Sequence, residues 1–391
     1  MKQGLNWKQA PENTLESLKH GMEMFDGVEF DVRITADDRL IVHHDRTVSV
    51  PSSALEGESK WLEEWNHDDL VDLGFLSFDA FLDDSDVLRA WRDEGKMGCV
   101  EIKRPHPRCR SGGGFLGRKR HVQHVARAME LAEAALDERE IPRENTVFYA
   151  FHRGMPASAK QSNTKRPWAA LIPYIPPYGN RTTQRMQVFP RFITTSFNRL
   201  ANQHRAQGSS MLPCAIEYFQ PSTRNLPLGR HVGFTGAALE RLTRARRGMP
   251  TYVWPTKPTV EHDLLRAGLT ALTDHADPGL TWLPSGHARW RQPGVRPLLD
   301  EEWDALEGAT EANHRDRIAE LESETPLWSE CDRSRRTELV AQWRKRWRWA
   351  TSIEDLLERF GGATPPSQAP RMIGHRGSGK TSRPVLNLHS T

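Results

Sequence analysis

The chain has 391 residues, two to three times a typical domain but within reach of one α/β barrel with additions. Its 54 Lys and Arg against 51 Asp and Glu leave a formal charge of +3. That balance offers no electrostatic case for a nucleic-acid or membrane partner, because non-specific binding to phosphates needs a basic excess. No run approaches the ~18–20 apolar residues of a spanning helix, and residues 1–12 lack the apolar stretch of a signal peptide. The four cysteines, Cys99, Cys109, Cys214 and Cys331, lack metal-ligand spacing and read as reduced structural thiols of a cytoplasmic protein.

In chain order, a first helix is expected over Thr14–Met24. Asn13 serves as its N-cap, Glu16 completes a capping box, and Leu15, Leu18 and Met22 share one face. Strands are expected at Gly27–Val32, Leu40–His43, Gly98–Ile102, Thr146–Ala150, Trp168–Tyr174, Leu212–Tyr218, Thr251–Trp254 and Leu269–Thr273. Further helices fall at His121–Leu136, Ala237–Arg247 and Val260–Ala267. Strands alternating with helices over this length predict a closed (β/α)8 barrel.

From about Pro278 the texture changes: seven of the thirteen tryptophans lie at or after Trp282, and charged helical patterns replace strands. Leu339, Trp343 and Trp347 recur at helical spacing, so the basic–aromatic run Trp343–Trp349 reads as helix packing with basic stems around it. The expected organisation is barrel over 1–280, a helical insertion packed on it over 281–365, and a C-terminal segment 366–391 after the turn-rich stretch Gly361–Pro370.

Two strands carry the chemistry. In Val28-Glu29-Phe30-Asp31-Val32, alternation puts Glu29 and Asp31 on one face and the apolar side chains on the other. Turned into a barrel mouth, two carboxylates repel unless a cation binds them, and oxygen ligands suit Mg²⁺, Ca²⁺ or Mn²⁺. Alone, the pair equally fits a solvated strand face. Val100-Glu101-Ile102-Lys103 repeats the pattern, adding a third carboxylate and a lysine for an anionic substrate. Between them His43-His44-Asp45 ends an apolar run, and a strand-end histidine can shuttle a proton near neutral pH.

Pro11-Glu12-Asn13-Thr14-Leu15, Val28–Val32, Thr35, Asp37, His44-Asp45 and Glu101-Ile102-Lys103 together closely resemble the glycerophosphodiester phosphodiesterase family. Thr251–Trp254 and Gly268–Asp274 resemble its seventh and eighth strands. The resemblance spans roughly residues 11–277, loosely between 150 and 250.

That family opens with a strand ending in His-Arg-Gly just before Pro-Glu-Asn-Thr, where this chain has Gly4-Leu5-Asn6-Trp7-Lys8. The triplet occurs instead at His152–Gly154 and, in a context like the opening strand and turn, at His375–Gly377. The expectation is a circular permutation that moves strand one to the C-terminus, places His375 near Glu29, Asp31, Glu101 and His44, and brings Met1 and Thr391 together.

The resemblance implies Glu29, Asp31 and Glu101 holding one divalent cation, with Arg376 and Lys103 binding phosphate and Trp254 packing on glycerol carbons. His375 and His44 would share general base and acid work, His44 as the acid. The implied reaction hydrolyses a small glycerophosphodiester to glycerol 3-phosphate and an alcohol, with no nucleic-acid partner and no stable membrane insertion. Two alternatives stand beside it. One is a barrel that has lost catalysis and acts as a binding module. The other is a phosphotransferase built on Gly374–Thr381, which fits G-x-x-x-x-G-K-[ST] but has only a short strand before it and Pro384 soon after.

Overall fold

A computed structural model describes residues 7–49, 59–221, 230–280, 283–284, 289, 300–310, 312–324, 330–347 and 371–381. The described residues form ten strands: β1 (Gly27–Ile34), β2 (Leu40–Val42), β3 (Leu76–Ser77), β4 (Met97–Ile102), β5 (Thr146–Ala150), β6 (Trp168–Ala170), β7 (Leu212–Ala215), β8 (Thr251–Thr256), β9 (Thr270–Thr273) and β10 (Met372–His375). Eight of them line up as β6-β5-β4-β1-β10-β9-β8-β7 in parallel pairs. Past the end of β6, the parallel bridge Ile172↔Cys214 reaches across to β7, so the sheet closes into a (β/α)8 barrel.

The alternation of each strand sorts the barrel into layers. Val28, Phe30 and Val32 of β1, with Val100 and Ile102 of β4, face outward onto Leu18, Met22, Phe81, Trp91 and Met129 of the helical shell. Met97, Cys99, Tyr149, Tyr252, Leu272 and Ile373 fill the interior below the carboxylates. Burying these side chains contributes roughly 1.5–3 kcal/mol each, which is why a strand whose every second residue is charged still forms.

β10 enters the sheet between β1 and β9. Glu29 pairs with His375 on one side, and Ile373 with Leu272 on the other. At its start the Met372 N–H donates to Asp26 Oδ2 at 2.8 Å and the Asp26 N–H to the Met372 carbonyl at 2.9 Å. At its end the chain turns tightly under the helix Leu15–Met24. Gly377 sits there at φ +84°, and a Cβ on it would meet the Ser17 backbone at 2.4 Å, so only glycine fits.

Three expectations fail. Leu40–His43 does not supply a barrel strand: β2 folds back antiparallel on β1 and pairs with β3 as a side ribbon. An apolar run this short carries no periodicity that separates the two fates. The sixth and seventh elements are also shorter than expected: β6 ends at Ala170, and Ile216–Tyr218 is a 3₁₀ turn rather than the end of β7. Asn13 is not the N-cap. Thr14 caps the helix by accepting from the Ser17 N–H, while Asn13 takes a left-handed conformation at φ +59° and turns its side chain elsewhere. Beyond the barrel, helices run over Asp300–Glu307, His314–Glu324 and Arg333–Trp347. The aromatic side chains of Trp343–Trp349, the linker Gly361–Pro370, and Met1 and Thr391 lie outside the described residues.

Candidate active site at the carboxyl end of the barrel

Strand register assembles the site. In parallel β1 and β4, Asp31 lies beside Glu101 and Glu29 beside Cys99, while Glu29 also pairs with His375 of β10. Inward-facing positions on three adjacent strands therefore converge. Oxygens of Glu29, Asp31 and Glu101 all come within 4.8 Å of one another, and the three residues are buried.

Their environments divide them. Burial, then the charges of Asp31 and Glu101, push the Glu29 carboxyl well above its ordinary range. Glu101 is also raised, by burial and by Asp31, with Lys103 opposing. Asp31 goes the other way: burial works against its ionisation, but Lys103, Arg376 and the Asn13 amide outweigh it and hold the carboxyl well below the usual range. Lys103 Nζ lies 2.8 Å from Asp31 Oδ1 and donates to Glu101 Oε1. Arg376 Nε lies 3.2 Å from Asp31 Oδ2, Arg376 Nη1 lies 2.5 Å from Glu12 Oε1, and the Arg376 N–H donates to Glu29 Oε2 at 3.1 Å.

This donor set fits a divalent cation. Three carboxylates offer the hard oxygens such ions take, and two of them are short of positive charge.

His375 is buried with Nε2 3.6 Å from Glu29 Oε2, and its Nδ1 bonds Asp274 Oδ1 at 2.7 Å. Burial lowers its proton affinity and the Asp274 carboxylate opposes that. His44 bonds Asp45 Oδ1 through Nδ1 at 2.9 Å, and burial with the charges of Arg376, Lys103 and Arg33 keeps its imidazole well below the ordinary value. The His44 carbonyl accepts from Arg33 Nη2 at 2.8 Å and Nε at 3.2 Å, and Arg33 is held in turn by buried Glu63. Trp254 stands apart from the acidic group. It is carried by β8, with β10 and β9 lying between that strand and β1, and packs edge-on against Phe151 with centroids 5.2 Å apart. His152 of the other His-Arg-Gly triplet follows β5, beside Arg104 and His121.

Sequence reasoning missed three contributors. Asn13 Nδ2 donates to Asp31 Oδ2 at 2.9 Å and its Oδ1 accepts from the Asp31 N–H at 3.2 Å. Asp274, one residue beyond β9, orients His375. Arg33 supports His44. The alternation that selects Glu29 and Asp31 reaches Arg33 if continued one more step; Asn13 and Asp274 had no comparable signal beyond their place in the quoted motifs.

The Walker-like stretch forms no phosphate cradle. Its backbone donors are already engaged: Arg376 with Glu29, Ser378 with Ser17 Oγ at 2.9 Å, Lys380 with Asp274 at 3.1 Å, and Thr381 with Glu12 at 2.9 Å. No helix follows within the described residues.

The fold and site together define a (β/α)8 barrel with a buried acidic centre of cation-binding type at its carboxyl end. Residues 6–99 match the model of the Glycerophosphoryl diester phosphodiesterase family. A curated relative from Caldanaerobacter subterraneus subsp. tengcongensis, named glycerophosphodiester phosphodiesterase, is 50% identical over 42 residues, or 10% of this chain and 17% of that protein. Among solved structures, a putative glycerophosphoryl diester phosphodiesterase from Silicibacter pomeroyi matches 64% of this chain and 81% of its own, at 13% identity and TM-score 0.42. A phosphodiesterase from Oleispira antarctica, solved with the product sn-glycerol-3-phosphate, matches 69% and 90%, also at 13% identity and TM-score 0.42.

Proposed function

We propose that this chain is a divalent-cation-dependent phosphodiesterase that hydrolyses glycerophosphodiesters to glycerol 3-phosphate and an alcohol. The observation that carries the reading is the convergence of Glu29, Asp31 and Glu101 with a histidine–arginine pair delivered from residues 375–376. The family match over residues 6–99 supports the substrate class. The position of β10 between β1 and β9 supports reading the chain as a circularly permuted member, with its opening strand last.

Glu29, Asp31 and Glu101 would hold the cation, which supplies charge stabilisation at the phosphoryl oxygens. The protein's own groups do the rest. Arg376 presents a planar guanidinium and Lys103 a point charge to the remaining anionic oxygens. Asp274 accepts the Nδ1 proton of His375, which leaves Nε2 to take a proton from the attacking oxygen, either that of water or that of the substrate's neighbouring glycerol hydroxyl, whose cyclic phosphate water then opens. Arg33 fixes the backbone under His44, the proton donor to the departing alkoxide, a step worth roughly 10²–10⁴-fold. The phosphate's negative charge would offset the cations that, with burial, lower the proton affinity of His44. Trp254 would pack against the glycerol carbons.

The test is release of glycerol 3-phosphate from glycerophosphocholine across Mg²⁺, Ca²⁺ and Mn²⁺, with wild type and His375→Ala side by side. Turnover lost to EDTA and to His375→Ala is expected. Full turnover in EDTA, or in the variant, sinks the reading.

A further inference from the structure

The even total charge conceals a one-sided distribution. From Asn145 to Ile216 the sequence contains no Asp or Glu and nine Lys and Arg. Part of that stretch folds around a cavity of about 560 Å³, within the usual range for small-molecule sites. The cavity lies beside the segments that follow β5, β6 and β7, and its lining includes Arg118, Arg153, Arg191 and Arg199 together with Tyr174 and Tyr218. No carboxylate lines it, and none of the residues of the acidic centre does.

Nothing else in the described residues neutralises these arginines. Each lacks an ion pair with a described carboxylate, whereas Arg166 of the same stretch bonds Asp137 at 2.6 Å and Arg139 bonds Asp79 and Asp83. The guanidinium carbons of Arg153 and Arg191 stand over the same Tyr174 ring, 5.5 and 5.1 Å from its centroid. Those two distances keep the charges within about 11 Å of each other, close to the ~8–10 Å screening length of ordinary buffer, so they repel. The ring faces offset that repulsion in part and hold both guanidiniums in place. A backbone tie fixes the wall: Arg104 Nη2 donates to the carbonyls of Phe151 at 2.7 Å and Ile175 at 2.5 Å, on either side of Arg153 and Tyr174 in the fold.

We propose that this cavity is a second binding site, separate from the acidic centre, for a multiply phosphorylated small molecule. A single phosphate meets one or two of four guanidiniums; a diphosphate or triphosphate spans more of them and fits the volume. Arginine suits the task because its forked donors engage phosphate oxygens two at a time.

The experiment is calorimetric titration of the full chain with inorganic tripolyphosphate in EDTA, so that no metal bridges the anion to the carboxylates. Saturable one-to-one binding is expected in wild type, weakened at least tenfold in Arg153→Gln/Arg191→Gln and in Arg199→Gln, and retained in Arg376→Gln. The two cavity variants should melt at the wild-type temperature and still hydrolyse glycerophosphocholine, because none of their positions touches the acidic centre. Unchanged affinity in both overturns the proposal. So does loss of binding in Arg376→Gln, which would assign the anion to the acidic centre. Orthophosphate and sulfate binding as tightly as tripolyphosphate at equal ionic strength would also overturn it, since that is screening of charge and not a site.

Discussion

Replacing Asn13 tests whether the acidic centre depends on a neutral side chain. Asn13 is buried, and both ends of its amide are used on Asp31: Nδ2 donates to the carboxylate and Oδ1 accepts the backbone N–H. In Asn13→Ala the charge-assisted bond is lost, about 1.5–3 kcal/mol, and the Asp31 N–H is left buried and unpaired, about 1–3 kcal/mol more. Alanine at φ +59° adds roughly 1 kcal/mol because its Cβ resists the left-handed region. Against a typical stability of ~5–15 kcal/mol, a loss of roughly 3.5–7 is large. Asn13→Asp keeps the acceptor but puts an oxygen where Nδ2 now lies, 2.9 Å from Asp31 Oδ2. That new carboxyl is forced to hold a proton in the folded state and binds it less tightly when unfolded. Its deficit is therefore small below about pH 4 and grows as pH rises, by ~1.4 kcal/mol per unit of raised pKa. Urea midpoints from pH 4.5 to 8 read both effects: the alanine deficit should stay nearly flat while the aspartate deficit widens. An alanine variant within 1 kcal/mol of wild type, or parallel curves for the two variants, refutes the reasoning.

Three further outcomes follow from the same geometry. Arg33→Met leaves the buried Glu63 carboxyl without its partner, which should cost about 3–5 kcal/mol in chemical denaturation; adding Glu63→Leu should restore most of that stability without restoring glycerophosphocholine turnover, because the His44 carbonyl stays unsupported. Asp274→Asn removes the ionic partner of His375 Nδ1 and should lower kcat/KM roughly 10–100-fold with little change in Tm. Gly377→Ala would push a Cβ into the Ser17 backbone, and the expected result is a fall in Tm of ten degrees or more, measured by circular dichroism.

Much of the centre was legible because strand alternation is a strong signal. Glu29, Asp31 and Glu101 face inward for the same reason that Val28, Phe30 and Val100 face the helices. His375 was legible only through the displaced His-Arg-Gly, since no local pattern says that a tail joins strands some hundred residues and several hundred residues earlier. Asn13 was misread because a capping box and a left-handed turn can share one sequence; which oxygen caps the helix depends on where Asp31 lies in three dimensions. Leu40–His43 was misread because pairing direction is a property of the partner, not of the run itself. β6 ends short of Pro173, which has no N–H to extend a ladder, whereas nothing comparable in Leu212–Tyr218 marks the 3₁₀ turn at Ile216–Tyr218.

The place of β10 also sets the timing of assembly. A ribosome delivers β1 and β9 long before residue 372 emerges, so until then the nascent sheet has two unmatched edges, and Glu29 lacks the imidazole that will sit beside it. The acidic centre gains its histidine as a late event, with the insertion of four residues. The same arrangement suggests a practical handle: a shortened chain supplied with a synthetic peptide spanning 366–391 could be switched on by complementation, in the manner of a split reporter.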